Sequence, residues 1–220
     1  MGKLIAIDGL DGSGKGTMSE RLYQYFLQKG VKVKKISFPM YENKSCYAVK
    51  MYLDGELGEN PDDTSGYAAS TLFAVDRYLS YRTDWGKFVA EPGTVTIADR
   101  YTSANAVHQL SKLPKEEWED FLSWLCDFEH QKLGLPLPDL TVYLQMPPAI
   151  SRALIAKRAK ETGRKVDIHE KDTGYLDRCY EAALYAAEKQ NWQVVACFEG
   201  DGPRDMDLIF ADLLRLVEEN

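Results

Sequence analysis

The sequence predicts an α/β protein of three layers, a five-stranded parallel sheet with helices on both faces. Three observations predict it. Five short apolar runs alternate with longer segments of helical periodicity. A glycine-rich turn joins the first run directly to the first helix. No stretch rich in Pro, Gly or Ser divides the 220 residues, so residues 1–220 are expected to form a single domain. Strands separated by helices are joined by right-handed crossovers, which make neighbouring strands parallel and cover the sheet on both sides. In such sheets ligands bind beyond the carboxyl ends of the strands.

Each element has its own signal. "KLIAID" (Lys3–Asp8) is an apolar run ending in a polar residue before glycine, as a buried strand does. Thr17–Lys29 place Met18, Leu22, Tyr25 and Phe26 at helical spacing, and Gly30 ends that helix. "VKVKKISF" (Val31–Phe38) alternates as a second strand and breaks at Pro39. Tyr41–Asp54 and Thr64–Trp85 read as helices around the loop "GELGENPDD". "TVTIADR" (Thr94–Arg100) is a third strand, entered through Pro92-Gly93. Two helices flank Pro114, and "DLTVYLQM" is a fourth strand closed by Pro147-Pro148. A helix, a basic loop and another helix lead to "WQVVACFEG" as the fifth strand, and a last helix reaches Asn220.

Bulk properties exclude several classes. A net charge of −7 argues against a general nucleic-acid binder, though a local basic cleft can still act within an acidic protein. No apolar run is long enough to span a bilayer. Cys46, Cys126, Cys179 and Cys197 are scattered without a C-x-x-C pair, so neither a disulfide framework nor a zinc site is expected. "MGKLIAID" is too short for a signal peptide, and Ala6 stands where a myristoylation signal wants Ser or Thr. A soluble cytoplasmic protein is the expectation.

"GLDGSGKGT" (Gly9–Thr17) fits a phosphate-binding loop through Gly9, Gly14 and Lys15. Glycines let the backbone wrap an anion with its N–H groups. The following helix adds its dipole, and the lysine reaches the outer phosphates. The residue after Lys15 is normally Ser or Thr, whose hydroxyl helps hold Mg²⁺; here it is Gly16, with Thr17 one place late. A metal would then depend on phosphates, waters and carboxylates. Asp11 within the loop either meets a sugar hydroxyl or serves the turn.

Further features suit a second, phosphate-bearing substrate. Asp99-Arg100 ends the third strand, where a carboxylate can order the waters of Mg²⁺ and an arginine can grip a phosphate bidentately. A strand-end salt bridge is the alternative, and Asp-Arg recurs at Asp76-Arg77 and Asp177-Arg178, but only the 99–100 pair leaves a predicted strand, which favours the functional reading. Phe73 and Arg77 share a helix face, either as base-stacking ring and base contact or as core residue and solvated arginine. Lys157, Arg158, Lys160, Arg164 and Lys165 form a basic stretch, read either as a lid over the reacting phosphoryl group or as a helix C-terminus complementing its dipole.

"IAIDGLDGSGKGT", "SFP", "LFAVDRY", "IADRYTSANAVHQ", "PDLTVYLQMPP" and "AKRAKETGRKVDIHEKD" follow the order and spacing of the thymidylate kinases, which the chain resembles over nearly its whole length. The loop "GKGT" is also similar to that of adenylate kinases. The resemblance implies the P-loop kinase fold, ATP-dependent phosphorylation of dTMP to dTDP with Mg²⁺, and a homodimer. It implies an ATP side made by Gly9, Asp11, Gly12, Ser13, Gly14, Lys15, Gly16 and Thr17, with Arg158 on adenine. It implies an acceptor side on which Asp11 meets the 3′-hydroxyl, Phe73 stacks on thymine and Arg77 contacts it. There Arg100 binds the acceptor phosphate, Asn105 and Gln109 face the base edge, and Tyr175 crowds the sugar 2′ position. Phe38 and Tyr41 of "SFPMY" fall on the same side. Asp99 lies near the metal. Ser13 stands where some members carry a loop arginine, which leaves Arg164 in a lid spanning about 157–172 as the catalytic arginine.

Three positions depart from the family pattern. Tyr41 replaces an arginine that helps hold the acceptor phosphate, Asp76 stands where Asn is common, and Gly16 replaces the hydroxyl residue. They leave two alternatives: a kinase for dUMP, UMP or dGMP, and a regulatory protein that binds ATP without efficient turnover.

Overall fold

The structure, a computed structural model, describes residues 1–162 and 174–220, with the side chains of residues 158, 159, 161 and 162 outside the description. Strands β1 (Lys3–Gly9), β2 (Val33–Ser37), β3 (Val95–Asp99), β4 (Leu140–Gln145) and β5 (Gln193–Ala196) form one sheet in the order β2-β3-β1-β4-β5. All four pairings are parallel. The central strand β1 lies between β3 and β4, with Ala6 opposite Ala98 on one side and Thr141 on the other.

The alternation of β1 explains the two cores. Ile5 and Ile7 face a cluster with Met18 and Leu22 of α1 (Lys15–Gln28) and Val142 and Leu144 of β4. Leu4 and Ala6 face the opposite cluster with Ile36, Trp85, Ala98 and Tyr101. A strand buried on both faces needs apolar residues at every position, which is why "KLIAI" lacks polar alternation.

The remaining helices are α2 (Tyr47–Leu53), α3 (Gly66–Ser80), α4 (Gly86–Ala90), α5 (Ser103–His108), α6 (Trp118–Cys126), α7 (Pro148–Thr162), α8 (Tyr175–Lys189) and α9 (Met206–Glu219). Two expected helices differ from the sequence expectation in instructive ways. The helix expected from Tyr41 begins later, because the Asn43 side chain accepts from the Ser45 N–H and opens a 3₁₀ turn, Lys44–Cys46, before α2. The helix expected over Thr64–Trp85 is capped by Ser65, whose hydroxyl accepts from the Ala68 N–H. It then widens into a π-helical turn at Tyr81–Trp85 and continues as α4. That turn seats Trp85 in the core, where its indole N–H donates to Ser80 Oγ at 3.2 Å. A second π-helical turn, Asp127–Lys132, follows α6.

The fifth strand stops at Ala196. Phe198–Glu199 and Gly202–Pro203 (β6 and β7) form a two-stranded hairpin across Gly200, whose φ of +56° permits the tight turn. All four cysteines are free. Among the described residues, no helix is long and apolar enough to cross a membrane.

Candidate active site

The loop from β1 to α1 needs glycine for two separate reasons. Gly12 and Gly14 have φ of +82° and +87°, a region that disfavours side chains. A Cβ on Gly12 would also come within 3.0 Å of the Ser151 carbonyl oxygen. Gly14 caps α1 without a side-chain hydrogen bond, so the first N–H groups of the helix remain available to an anion. Ser151 Oγ donates to the Asp11 carbonyl oxygen and ties the loop to α7.

Charge gathers around Asp11. Its Oδ1 accepts from Lys15 Nζ at 3.0 Å and from Arg100 Nη2 at 2.7 Å. Burial pushes the Asp11 carboxyl up, but Lys15, Arg100 and His108 outweigh it and hold the group well below the usual carboxylate range. Arg100 has φ +66°, rare for a residue with a side chain, while its N–H still donates to the Ile7 carbonyl oxygen at 2.9 Å. The chain thus leaves the sheet abruptly and swings the guanidinium over the loop. Arg100 Nη1 lies 2.8 Å from His108 Nε2; a guanidinium only donates, so Nε2 accepts. Burial opposes the Arg100 charge, and Asp11, Asp8 and Asp99 more than offset it, raising its pKa.

Asp8 is fully buried one residue before the loop. It accepts from the Gly9 N–H and from Ser103 Oγ, both at 2.8 Å. Burial raises its pKa against the lowering effect of Arg100 and these two hydrogen bonds.

Gly16 has a local explanation. A Cβ there would stand 3.3 Å from Asp99 Oδ2, so the carboxylate closing β3 occupies the space beside the first turn of α1. Among the described residues, no group of three or more His, Cys, Asp or Glu side chains is placed to hold a metal alone. One carboxylate beside a phosphate loop suits Mg²⁺, which keeps several waters and takes the rest of its ligands from phosphates.

These groups line a single cleft of ≈ 1040 Å³. Residues 11–17, Phe38, Tyr41, Phe73, Arg77, Asp99, Arg100, Asn105 and Gln109 all border it. Six cationic side chains face three carboxylates there, a basic cleft in an acidic protein. Phe38 contributes only its edge, being 3 % exposed and packed edge-on against Trp85. Tyr41 is half exposed beside Arg100. Gly9 ends β1 just behind the loop and does not border the cleft.

Two expected residues stand differently. Arg77 is not a solvated arginine: it is 1 % exposed, and its Nε and Nη2 each donate to Glu129 at 2.6 Å. Tyr175 does not border the cleft among the described residues. It is fully buried, stacks on His108 at 6.1 Å, and donates its hydroxyl to the His108 carbonyl oxygen. The side chain of Arg158, and Arg164 with most of the lid segment, lie outside the described residues. The structure adds Asp8, His108, Glu129, Ser151, Arg204 and Met206 to the site or its supports. His108 follows Arg100 by eight residues along the next helix, which the motif around Asp99-Arg100 could have signalled. Nothing in the sequence couples Glu129 to Arg77.

The profile of the thymidylate kinase family matches residues 7–199. The chain belongs to that family. A thymidylate kinase from Mycobacterium tuberculosis is 34% identical over 196 residues, covering 86% of this chain and 87% of that protein. A probable thymidylate kinase from Staphylothermus marinus is 26% identical over 219 residues, covering 100% of this chain and 96% of that protein. Among solved structures, a thymidylate kinase from Candida albicans superposes with a TM-score of 0.67 at 20% identity, covering 100% of this chain and 92% of its own. That likeness is one of fold. Within the family, Asp76 has a structural role here: its carboxylate accepts from the Met40 N–H at 2.9 Å and from Ser45 Oγ, pinning the loop that carries Tyr41.

Proposed function

We propose that this chain transfers the γ-phosphoryl group of ATP to dTMP, giving dTDP and ADP. The observation carrying this reading is the continuous basic cleft, lined both by the phosphate loop and by Phe73, Arg77, Asn105 and Gln109. ATP phosphates would lie on the N–H groups of residues 12–17, with Lys15 on the outer oxygens and adenine towards Arg158, Arg204 and Met206. Mg²⁺ would be held beside Asp99 and supplies charge neutralisation on the phosphates.

On the acceptor side, Arg100 would hold the dTMP phosphate in line with the γ-phosphorus. Asp11 and His108 aim its guanidinium, which favours alignment over mobility. Asp11 Oδ2 has no protein donor among the described residues, which supports a bond from the sugar 3′-hydroxyl. Tyr41 would stand in for the missing phosphate-binding arginine, and Tyr175 would act on the sugar through His108. Phe73 would stack on thymine. The acceptor phosphate is already ionised near neutral pH, so the site needs no general base. Residues 157–172 would form the lid within the single domain, bringing Arg164 to the transferring phosphoryl group. A homodimer belongs to the same reading; Val75 and Leu79, four apart and exposed on α3, are apolar residues that such an interface would cover. Cytoplasmic residence accords with four unpaired cysteines.

The test is ADP release from ATP with a panel of nucleoside monophosphates. dTMP is expected among the best acceptors. A clear preference for UMP or dGMP, or ATP binding without monophosphate-dependent turnover, would replace this reading.

A further inference from the structure

The geometry points to Glu129 as the positioning residue that sets the hydrogen-bond polarity of the acceptor-base end of the cleft, so that it takes keto–imide bases and rejects amino bases. This rests on the reading of the site as a nucleoside monophosphate kinase. Glu129 is fully buried in the π-helical turn Asp127–Lys132 and does not itself border the cleft.

Its two oxygens hold two residues that do. Oε2 accepts from Arg77 Nε, and Oε1 accepts from both Arg77 Nη2 and Asn105 Nδ2, the last at 2.9 Å. Arg77 Nη1 keeps its hydrogens without an acceptor among the described residues. Asn105 Nδ2 also donates to the Ser70 carbonyl oxygen at 3.2 Å. Both partners of that amide nitrogen only accept, which fixes the amide against flipping and leaves Oδ1 as the group available to the cleft. Gln109, one helical turn beyond Asn105, has a buried Oε1 with no partner among the described residues.

The cleft end therefore presents a donor, Arg77 Nη1, beside an acceptor, Asn105 Oδ1. Thymine and uracil carry the complement, the O4 acceptor beside the N3–H donor. Cytosine carries the reverse, an N4 donor beside the N3 acceptor, and meets donor with donor and acceptor with acceptor. Guanine shares the keto–imide order, so ring size rather than polarity must separate it. Without Glu129, Arg77 is free to turn its other edges, and only the Ser70 carbonyl oxygen, at 3.2 Å, still holds the Asn105 amide. Buried mismatches of this kind discriminate far more strongly than a missing methylene.

The test compares kcat/KM for dTMP with kcat/KM for dCMP on the full chain and on Glu129→Gln and Glu129→Asp, with calorimetric binding of both monophosphates alongside. A ratio of two substrates on one preparation does not depend on the fraction folded, so a merely structural role would leave it unchanged. The wild type is expected to favour dTMP by on the order of 10³-fold or more. In Glu129→Gln one of the two positions becomes an NH₂ donor: at Oε1 it opposes both Arg77 Nη2 and Asn105 Nδ2, and at Oε2 it opposes Arg77 Nε, so either amide orientation unseats a side chain that borders the cleft. The ratio is expected to fall at least about 10-fold, the scale of one buried unmatched hydrogen bond. Glu129→Asp keeps the charge opposite Arg77 but is one methylene too short to span both partners. It is expected to be folded, with an intermediate ratio and a smaller change in kcat for dTMP; it carries the test alone if Glu129→Gln does not fold. Wild-type ratios in both variants, or in Glu129→Asp alone in that case, would overturn the inference while leaving the proposed function standing. If the wild type turns over no dTMP, the proposed function fails instead, and the binding ratio of dTMP to dCMP judges Glu129 by the same criterion.

Discussion

At the residue scale the site is a set of mutually restrained charges. Lys15 and Arg100 both reach Asp11 Oδ1, so neither cation swings freely when the cleft holds no nucleotide. On the proposed reading, removing Lys15 takes away the outer-phosphate contact, and it leaves Asp11 still paired with Arg100. Lys15→Ala is therefore expected to lower kcat by about 10²–10³-fold while costing only about 1 kcal/mol of stability. Steady-state rates and urea midpoints check the two halves separately. Asp8 gives the opposite pattern. Its native pKa is raised, so the folded protein holds that proton at a pH where the unfolded chain has lost it. The stability Asp8 contributes is full below its unfolded value of 3.8 and is lost as pH rises through the raised native value. Asn at this position keeps an acceptor for the Gly9 N–H and has no proton to lose. Asp8→Asn is expected to gain stability over the wild type as pH rises through that window, and then to hold the gain. Parallel melting curves for the two proteins across acid to neutral pH would contradict the assignment.

At the element scale, α3 and the π-helical turn Asp127–Lys132 are joined by the Arg77–Glu129 pair, both partners at most 1 % exposed. Breaking one partner of such a pair leaves a buried charge. Arg77→Met is expected to destabilise by about 3–5 kcal/mol, and Arg77→Met with Glu129→Met to recover much of that loss. Urea unfolding of the three proteins forms the check, and a double variant no better than the single one would show that the pair is not isolated. This contact also marks where sequence reading ended. The phosphate loop, the alternation of strands with helices and the Asp99-Arg100 strand end were legible because each depends on neighbours within one or two turns. The orientation of Arg77 was not, because its partner lies 52 residues away on a turn with no local signature. The position of Tyr175 behind His108 was not legible either: resemblance alone assigned it to the sugar, and its hydroxyl reaches a carbonyl 67 residues away. The fifth strand was overextended because "VVACFEG" reads as continuous β, whereas Gly200 and Gly202 fold its end into a hairpin.

At the scale of the whole molecule, the sheet order places the loops after β2, β3, β1 and β4 around one opening. The phosphate loop borders the same cleft as Phe73 and Asn105, the proposed acceptor side, and as Arg204, Met206 and Ile209. Among the described residues nothing divides the two halves, so on the proposed reading two nucleotides would meet phosphate to phosphate above Lys15. A single molecule that joins adenosine to thymidine through a polyphosphate chain should occupy both ends at once. Its second half then binds intramolecularly, at an effective concentration of about millimolar for a short flexible link, without any new contact. Ligands that bind only the folded state raise its stability with the logarithm of their concentration relative to their dissociation constant. The joined compound is therefore expected to raise the melting temperature more than ATP and dTMP supplied together at the same concentration. Lys15→Ala, which weakens the phosphate contact at the middle of the cleft, should reduce that shift while leaving a contribution from each end. A joined compound no better than the separate nucleotides would mean that the two ends are not filled together, and the in-line geometry assigned to Arg100 and the loop would go with it.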